Sequence, residues 1–168
     1  MKIKNIILEF QNQDYRHFDE FYQLTERQVY FSIISIVKSQ DVAQDLMQDT
    51  YMKFIEKISQ YDPTKSVYAY LTTIGRNLAI NHYNKAKREI HDEEMFHYIP
   101  STDRVDENVG VLDLLDTLDE TKRDIVIMHV INELKFKEIA DILKMPIGTV
   151  LWHYNNAIKD LKTKVGDV

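Results

Sequence analysis

The sequence contains no cysteine, only three prolines and four glycines, and no long apolar run. The absence of cysteine excludes disulfide scaffolds, thiolate zinc sites and cysteine nucleophiles together. Purely apolar stretches such as 125–128 are far too short to span a bilayer, and no signal-peptide pattern follows Met1. We therefore expect a cytoplasmic protein without membrane insertion.

Motifs of catalysis and metal binding are also missing. The six histidines show no HExxH or paired spacing, and the cluster of His and acidic residues at 91–97 is typical of a solvated segment. The sequence has no glycine-rich phosphate loop and no recognisable pair of nucleophile and base. We expect no enzymatic activity, no metal site and no cofactor.

Charge is distributed unevenly around a net value of −6. Segment 63–88 carries five basic residues and no acidic one, as expected of a surface that lies against phosphate. Segment 92–120 reverses this balance, with ten acidic residues and Arg104 as its one base. The chain turns mildly basic again over 134–164. This pattern predicts two basic-tinged halves joined by an acidic tether.

Apolar residues recur at helical spacing throughout, which predicts an all-α fold. A first long helix is predicted from Phe18 to Val37. A second follows Gln40, with a buried stripe formed by Ala43, Leu46, Met47, Thr50, Tyr51, Phe54 and Ile58. Its opposite side carries Asp41, Asp45 and Asp49, which stack one above the next at i,i+4 spacing. The stack favours either a basic partner or, equally, a solvated face near a helix N-terminus.

A third helix is predicted after the loop 61–66. Its inner side carries Val67, Tyr70, Leu71, Ile74 and Leu78. A polar stripe opposite holds Thr73, Asn77, Asn81, Asn84 and Arg88. Asparagine amides can pair with adenine, arginine with guanine or phosphate, and nearby tyrosines can stack on unpaired bases. Asparagines and the mid-helix Gly75 are unfavourable for helix stability, so we interpret this stripe as functional, with a plain solvent face as the alternative.

The C-terminal part predicts helices around Leu112 and 125–131, with Thr121 as the cap of the latter. Segment 136–161 then predicts helix, short turn and helix, interrupted at Pro146 and Gly148 and restarting at Thr149. Small and apolar residues at 139–150 occupy the crossing positions of a helix-turn-helix.

Three motifs, DVAQDLMQDTY from Asp41, LTTIGRNLAIN from Leu71 and KEIADILKMPIGTV from Lys137, resemble successive signatures of bacterial RNA polymerase sigma factors. The resemblance is to the extracytoplasmic-function group of the sigma-70 family, which keeps only regions 2 and 4. It implies a region 2 helical bundle over 1–91, an acidic linker over 92–110 and a region 4 helix-turn-helix over 111–168. It also implies a factor that binds core RNA polymerase and directs promoter recognition, −10 opening and transcription initiation.

The resemblance assigns three sets of residues. The expected contacts with core polymerase are Asp45, Gln48, Asp49, Met52 and Lys53. The expected −10 DNA contacts are Tyr61, Lys65, Ser66, Thr73, Arg76, Asn77, Asn81, Asn84, Lys85 and Arg88. The expected −35 DNA contacts are Lys144, Thr149, Leu151, Trp152, Asn155, Asn156 and Lys159. The implied partners are the clamp helices of the largest polymerase subunit, the flap of the second-largest, promoter DNA and an anti-sigma factor.

The sequence departs from the family pattern at the helix 146–161. Where the family usually continues with basic residues and serine, this chain has Leu151, Trp152 and His153. Leu151 and Trp152 are suited to thymine methyl groups and Asn155 or Asn156 to adenines, which favours an A/T-rich −35 sequence. Alternatively, the apolar pair contacts the polymerase, an anti-sigma partner or its own domain. Two further alternatives for the whole chain are a polymerase-independent helix-turn-helix regulator and a helical adaptor that binds no nucleic acid.

Overall fold

The computed structural model of the protein describes residues 2–92 and 109–166. The chain divides into two compact units, Met1–Tyr98 and Ile99–Val168. All regular structure in the described ranges is helical, which confirms the all-α prediction. None of the helices within these ranges is long and apolar enough to cross a bilayer.

Four α-helices and a short 3-10 turn make up the described part of the first unit. Their bounds are α1 Ile3–Gln11, α2 Phe18–Val37, α3 Gln40–Glu56, the 3-10 turn Ile58–Gln60 and α4 Val67–Asp92. Helices α2, α3 and α4 pack against one another, while α1 packs on α2 and on the 3-10 turn. The sequence predicted α2, α3 and α4 but not α1.

A tight turn joins α2 to α3. Lys38 adopts the left-handed conformation, with φ of 58°, and its N–H donates to Ile34 O at 3.0 Å. Ser39 then caps α3, because its side-chain oxygen accepts from Val42 N at 3.5 Å. Two residues therefore suffice to reverse the chain and place the helices side by side.

Aromatic rings fill the core of the first unit. Phe21 stacks on Phe54 with ring centroids 5.2 Å apart and meets Phe10 edge-on at 5.3 Å. The whole predicted stripe, from Ala43 to Ile58, is buried, although Ile58 lies in the 3-10 turn and not, as predicted, in the helix α3. The core therefore holds the outer faces of α3 and α4 in fixed orientation.

Gly75 has a packing role that the sequence did not indicate. A Cβ atom at this position would lie 3.2 Å from Ile33 Cγ1 and 3.4 Å from Thr50 Oγ1. Both neighbours are fully buried. The glycine thus allows α4 to approach α2 and α3 closely, and this packing explains it without reference to the polar stripe.

The described part of the second unit is a set of shorter helices. Their bounds are α5 Val109–Leu115, α6 Glu120–Val126, a π-helical turn Ile127–Ile131, α7 Phe136–Leu143 and α8 Ile147–Gly166. The prediction that Thr121 caps α6 was wrong. Asp119 is the cap, since its carboxylate accepts from Lys122 N at 3.0 Å.

Helices α7 and α8 form the predicted helix-turn-helix. Lys144 ends α7 in the left-handed conformation, with φ of 53°, and Met145 N donates to Ala140 O at 3.0 Å. Ile139, Ala140 and Val150 are buried where the two helices cross. Helix α8 begins at Ile147 rather than at the predicted Thr149, so Gly148 lies within its first turn.

The predicted acidic tether falls between α4 and α5. Helix α4 ends at Asp92 and α5 begins at Val109, so the interval 93–108 lies outside the described residues. The His and acidic cluster at 91–97 lies mostly in the same interval. The tether and the exact domain limits stay predictions.

Candidate polymerase and promoter interfaces

The polar stripe of α4 is exposed along its C-terminal half. Asn77, Asn81, Asn84, Lys85 and Arg88 all face solvent. They lie within the 12 residues 77–88, whose ends are about 16 Å apart along the helix. Amide and basic groups are thus aligned in a row of the length of several nucleotides.

Two predicted members of this set are less accessible. Thr73 is half-buried, and its hydroxyl donates to Ala69 O at 2.8 Å within the helix. Arg76 is also half-buried. The exposed part of the stripe therefore begins at Asn77.

The loop 61–66 is ordered by its own side chains. Tyr61 is buried, and its hydroxyl donates to Lys65 O at 2.8 Å. Its ring packs against Tyr70, with centroids 5.1 Å apart, and burial raises its pKa to about 12. Ser66 caps α4 by accepting from Ala69 N at 3.2 Å, while Lys65 is exposed. Tyr61 thus supports the loop from below and offers no open stacking face in this structure.

Gln11 positions the same loop, a role that no pattern in the sequence indicates. Its side-chain amide donates to Ile58 O at 3.0 Å and to Tyr61 O at 2.7 Å, across 47 and 50 residues of sequence. The accepting carbonyl groups belong to the first residue of the 3-10 turn and to the residue that follows it. Helix α1 therefore serves as a support for the loop.

The acidic side of α3 is exposed as predicted. Asp45, Gln48, Asp49, Met52 and Lys53 all face solvent, and the Met52 side chain is 61% exposed. Asp41 lies exposed one turn earlier on the same face. The face combines a row of carboxylates with one accessible apolar side chain.

An apolar groove lies beside this face, between α2 and α3. It has a volume of about 520 Å³ and is lined by the apolar or aromatic residues Phe18, Tyr22, Tyr51, Met52 and Ile55 and by the polar residues Gln48 and Glu56. The Tyr51 hydroxyl is fixed by a 2.8 Å hydrogen bond with Thr25 Oγ1, and burial raises the pKa of Tyr51. Gln48 and Met52 belong to both the acidic face and the groove, so the two form one continuous surface.

The outer face of α8 carries most of the remaining predicted residues. Exposed positions are Lys144 in the turn and then Thr149, Leu151, Trp152, Asn155 and Lys159. The Trp152 side chain is 62% exposed. Asn156 is half-buried and its amide donates to Trp152 O at 2.9 Å. The structure thus brings the predicted set together on one side of the helix.

An ion-pair cluster attaches α8 to α6. Lys122 Nζ lies 2.8 Å from Asp160 Oδ2 and 3.3 Å from Asp119 Oδ2. The hydrogen bonds to Asp160 and Asp119 raise the pKa of Lys122, and the backbone hydrogen bond from Lys122 N lowers the pKa of Asp119. The one carboxylate of α8 is therefore neutralised by a neighbouring helix.

These features define a class of protein that has two parts. One is a helical bundle in which one helix carries an exposed polar stripe, and the other is a helix-turn-helix whose second helix is exposed. The family description "Sigma-70 region 2" matches residues 21–89, and "Sigma-70, region 4" matches residues 109–161. Together the two regions match most of the chain. The chain belongs to the sigma-70 family, in its extracytoplasmic-function (ECF) group.

Curated relatives carry the same description. The ECF RNA polymerase sigma factor SigM of Bacillus subtilis is 26% identical over 76% of this chain and 82% of its own length. The ECF sigma factor SigW of the same organism is 23% identical over 100% of this chain and 99% of its own length. EcfG of Rhodopseudomonas palustris is 27% identical over 74% of this chain and 71% of its own.

Solved structures share the fold. The sigma factor RpoE from Bartonella quintana, solved with the anti-sigma factor NepR, gives a TM-score of 0.71 at 24% identity, covering 89% of this chain and 96% of that one. CnrH, solved with the cytosolic domain of CnrY, gives a TM-score of 0.70 at 17% identity, covering 98% and 97%.

The family membership confirms the function predicted from the sequence. The protein is a sigma factor that binds core RNA polymerase and directs it to promoter DNA, and it is not an enzyme. This function replaces the two alternative hypotheses, the polymerase-independent regulator and the adaptor that binds no nucleic acid.

Proposed function

We propose that the acidic face of α3 is the docking surface for core polymerase. Its members are Asp45, Gln48, Asp49, Met52 and Lys53, and by the family resemblance their partner is the clamp helices of the largest subunit. The supporting observation is the exposed i,i+4 row of carboxylates, because like charges at this spacing repel each other by about 0.2–0.5 kcal/mol per pair. A basic partner relieves that repulsion, and the adjoining groove supplies apolar area for contact.

The exposed stripe of α4 and the loop before it form the proposed −10 surface. The direct contacts are Asn77, Asn81, Asn84, Lys85 and Arg88, with Lys65 from the loop. Exposed amides on a helix can hydrogen-bond base edges, and the basic side chains can hold phosphates. Thr73, Arg76 and Ser66 lie at the edge of this surface, and Tyr61 acts as its support from the core.

The helix-turn-helix is the proposed −35 reader, with α8 entering the major groove. Its contacts are Thr149, Leu151, Trp152, Asn155 and Lys159, joined by Lys144 from the turn. Asn156 supports the helix through its bond to Trp152 O. The same unit is proposed to contact the flap of the second-largest polymerase subunit.

Three further assignments belong to this proposal. Residues 1–91 form the region 2 domain, 92–110 the acidic linker and 111–168 the region 4 domain. The protein acts in the cytoplasm, where core polymerase is found. An anti-sigma factor is a further partner, which is supported by the complex of the structurally similar RpoE with NepR.

Charge reversal on α3 tests the docking assignment. Asp45→Lys with Asp49→Lys should weaken binding to core polymerase at least about a hundredfold, because attraction to basic residues becomes repulsion. Binding is measured by fluorescence titration of labelled protein with core enzyme. Both side chains are exposed, so the helical circular dichroism signal should not change.

Asp41→Lys is the matched control. It makes the same charge change on the same face, one turn before the proposed docking segment. It should weaken core binding far less than either Asp45→Lys or Asp49→Lys. An equal loss from all three changes would show a diffuse charge effect, and full binding by the double variant would refute the docking surface.

A further inference from the structure

The outer side of α8, the proposed DNA-facing side, has an apolar character. The Leu151 side chain is 37% exposed and that of Trp152 is 62% exposed, and the first residue of the helix, Ile147, is 49% exposed. The helix belongs to a tightly folded unit that buries Val150 and Ala157 on its opposite side. The exposed apolar residues of α8 are therefore not part of the core, and a cluster of exposed apolar side chains indicates a binding surface.

The side chains of Leu151 and Trp152 lie on either side of Gly148, which has no side chain to cover the helix backbone. Successive helix residues are rotated by about 100°, so Gly148 and Asn155 fall between Leu151 and Trp152 on the outer face. Among the residues that the structure describes, a Cβ atom at Gly148 would meet nothing within 4 Å, and the φ of Gly148 is not positive. Neither packing within the described ranges nor backbone conformation therefore requires glycine there. A glycine of this kind is suited to the close approach of a ligand.

The charged residues on this side of α8 are compatible with contact to DNA, but they do not include a residue suited to reading guanine. Lys159 lies in line with Asn155, and Asp160, the one acidic residue of α8, is held by Lys122 at 2.8 Å. The helix contains no arginine, the residue that most often reads guanine through two hydrogen bonds. In the major groove, the C5-methyl group of thymine is the apolar feature that distinguishes one base pair from the others.

We propose that Leu151 and Trp152 read thymine methyl groups in the −35 element by apolar contact, while Gly148 lets the DNA approach and Asn155 pairs with an adenine. The proposal rests on the −35 role of α8. It selects Asn155 over Asn156, because the Asn156 amide already donates to Trp152 O. The −35 element is accordingly rich in A·T pairs, with thymines opposite the apolar pair.

Replacement of thymine by deoxyuridine tests this directly, since it removes the methyl group and keeps the base pairing. Holoenzyme assembled from the full chain and core polymerase is titrated with its own promoter, carrying one uracil at each −35 thymine in turn. At the contacted thymines, affinity should fall about fourfold, the change that corresponds to about 0.8 kcal/mol for one buried methylene-sized group. Uracil placed outside the −35 element should have no effect.

Variants then assign the effect to side chains. Trp152→Ala or Leu151→Ala should lower affinity for the natural promoter and abolish sensitivity to uracil at one position each, because the methyl group has lost its partner. Asn155→Ala should retain sensitivity to uracil and lose discrimination of an adenine. Gly148→Ala should weaken promoter binding without loss of folded structure. Val165→Ala is the matched control, since Val165 is 61% exposed on the same helix about 20 Å from Trp152.

The possible outcomes distinguish failure of methyl reading from failure of the −35 role of α8. Discrete promoter starts with full indifference to uracil, or with sensitivity that survives both Trp152→Ala and Leu151→Ala, would overturn methyl reading and leave the sigma function intact. A fall in core binding by Trp152→Ala without DNA, combined with indifference to uracil, would show that the apolar pair contacts polymerase. A holoenzyme that binds no −35 element would remove both the −35 role and the proposal.

Discussion

Gly75 and Ile33 are in such close contact that a Cβ atom on the glycine would lie 3.2 Å from Ile33 Cγ1. Ile33 is fully buried in α2, so it has little freedom to move away. The contact fixes the distance between α2 and α4, and with it the position of the polar stripe relative to the rest of the bundle.

Gly75→Ala should therefore destabilise the first unit. Overpacking costs about 1–3 kcal/mol, and the better helix propensity of alanine returns about 1 kcal/mol. We expect a net loss of about 1 kcal/mol in the free energy of unfolding, measured by urea titration with far-ultraviolet circular dichroism.

Gly148→Ala provides the comparison for stability, because a Cβ atom there would have no neighbour within 4 Å among the described residues. It should leave the second unit equally stable or slightly more stable. Trp152 is the one tryptophan of the chain, so its fluorescence follows unfolding of the second unit separately. Gly75→Ala with unchanged or increased stability would contradict the packing role of the glycine.

Exposed asparagines on α4 should affect stability and function in opposite directions. Asn77→Ala with Asn81→Ala removes two poor helix formers from solvent-facing positions, so thermal stability should rise, by about 0.5 kcal/mol for each change. Promoter opening should fall by about tenfold or more, because base contacts of this kind are each worth about 1–3 kcal/mol. Permanganate reactivity of promoter thymines measures the opening.

His82→Ala is the control for these changes, since His82 is exposed on α4 but points about 100° away from Asn81. It should leave opening intact. Core binding should be normal in both the double asparagine variant and His82→Ala. Normal permanganate reactivity in the double asparagine variant would mean that the stripe is only a solvent face.

Tyr61 should make the first unit sensitive to alkaline pH. Its pKa is raised to about 12 by burial, whereas an unfolded tyrosine titrates near pH 10. Between these values the folded state binds more protons than the unfolded state, so stability is intact below pH 10 and falls as pH rises through 12. Urea titrations over pH 9 to about 11.5 should show this decline.

Tyr61→Phe should make the decline shallower, at the cost of the hydrogen bond to Lys65 O. Some decline should remain, since burial also raises the pKa of Tyr51. Tyr83→Phe makes the same change at a tyrosine that is 50% exposed on α4, and serves as the control. Equal profiles for Tyr61→Phe and the unmodified protein would show that the loop support does not depend on the neutral phenol.

Local periodicity predicted the elements that bury one continuous stripe. The α3 stripe and the crossing of α7 with α8 follow from i,i+3 and i,i+4 spacing, and both agree with the structure. Helix α1 was not predicted, because it is only nine residues long and no side chain caps its first turn. Thr121 was wrongly predicted as the cap of α6 in place of Asp119, because both residue types serve as caps.

Contacts between distant segments could not be predicted in this way. The bonds of Gln11 to Ile58 and Tyr61 join atoms about 50 residues apart, and a single glutamine carries no sign of them. The burial of Tyr61 depends on how α1, α3 and α4 meet, and the close fit at Gly75 depends on how α4 meets α2 and α3. The identities of Tyr61 and Gly75 suggested a role in DNA binding, whereas tertiary packing explains why these residues occur at their positions.

Transcription from fragmented genomic DNA by purified core polymerase, with and without this protein, tests the sigma function most directly. We expect discrete new transcript starts in its presence, preceded by a shared −10 motif and an A/T-rich −35 box. No new starts, together with no binding to core polymerase, would contradict the assignment of this chain as a promoter-directing sigma factor.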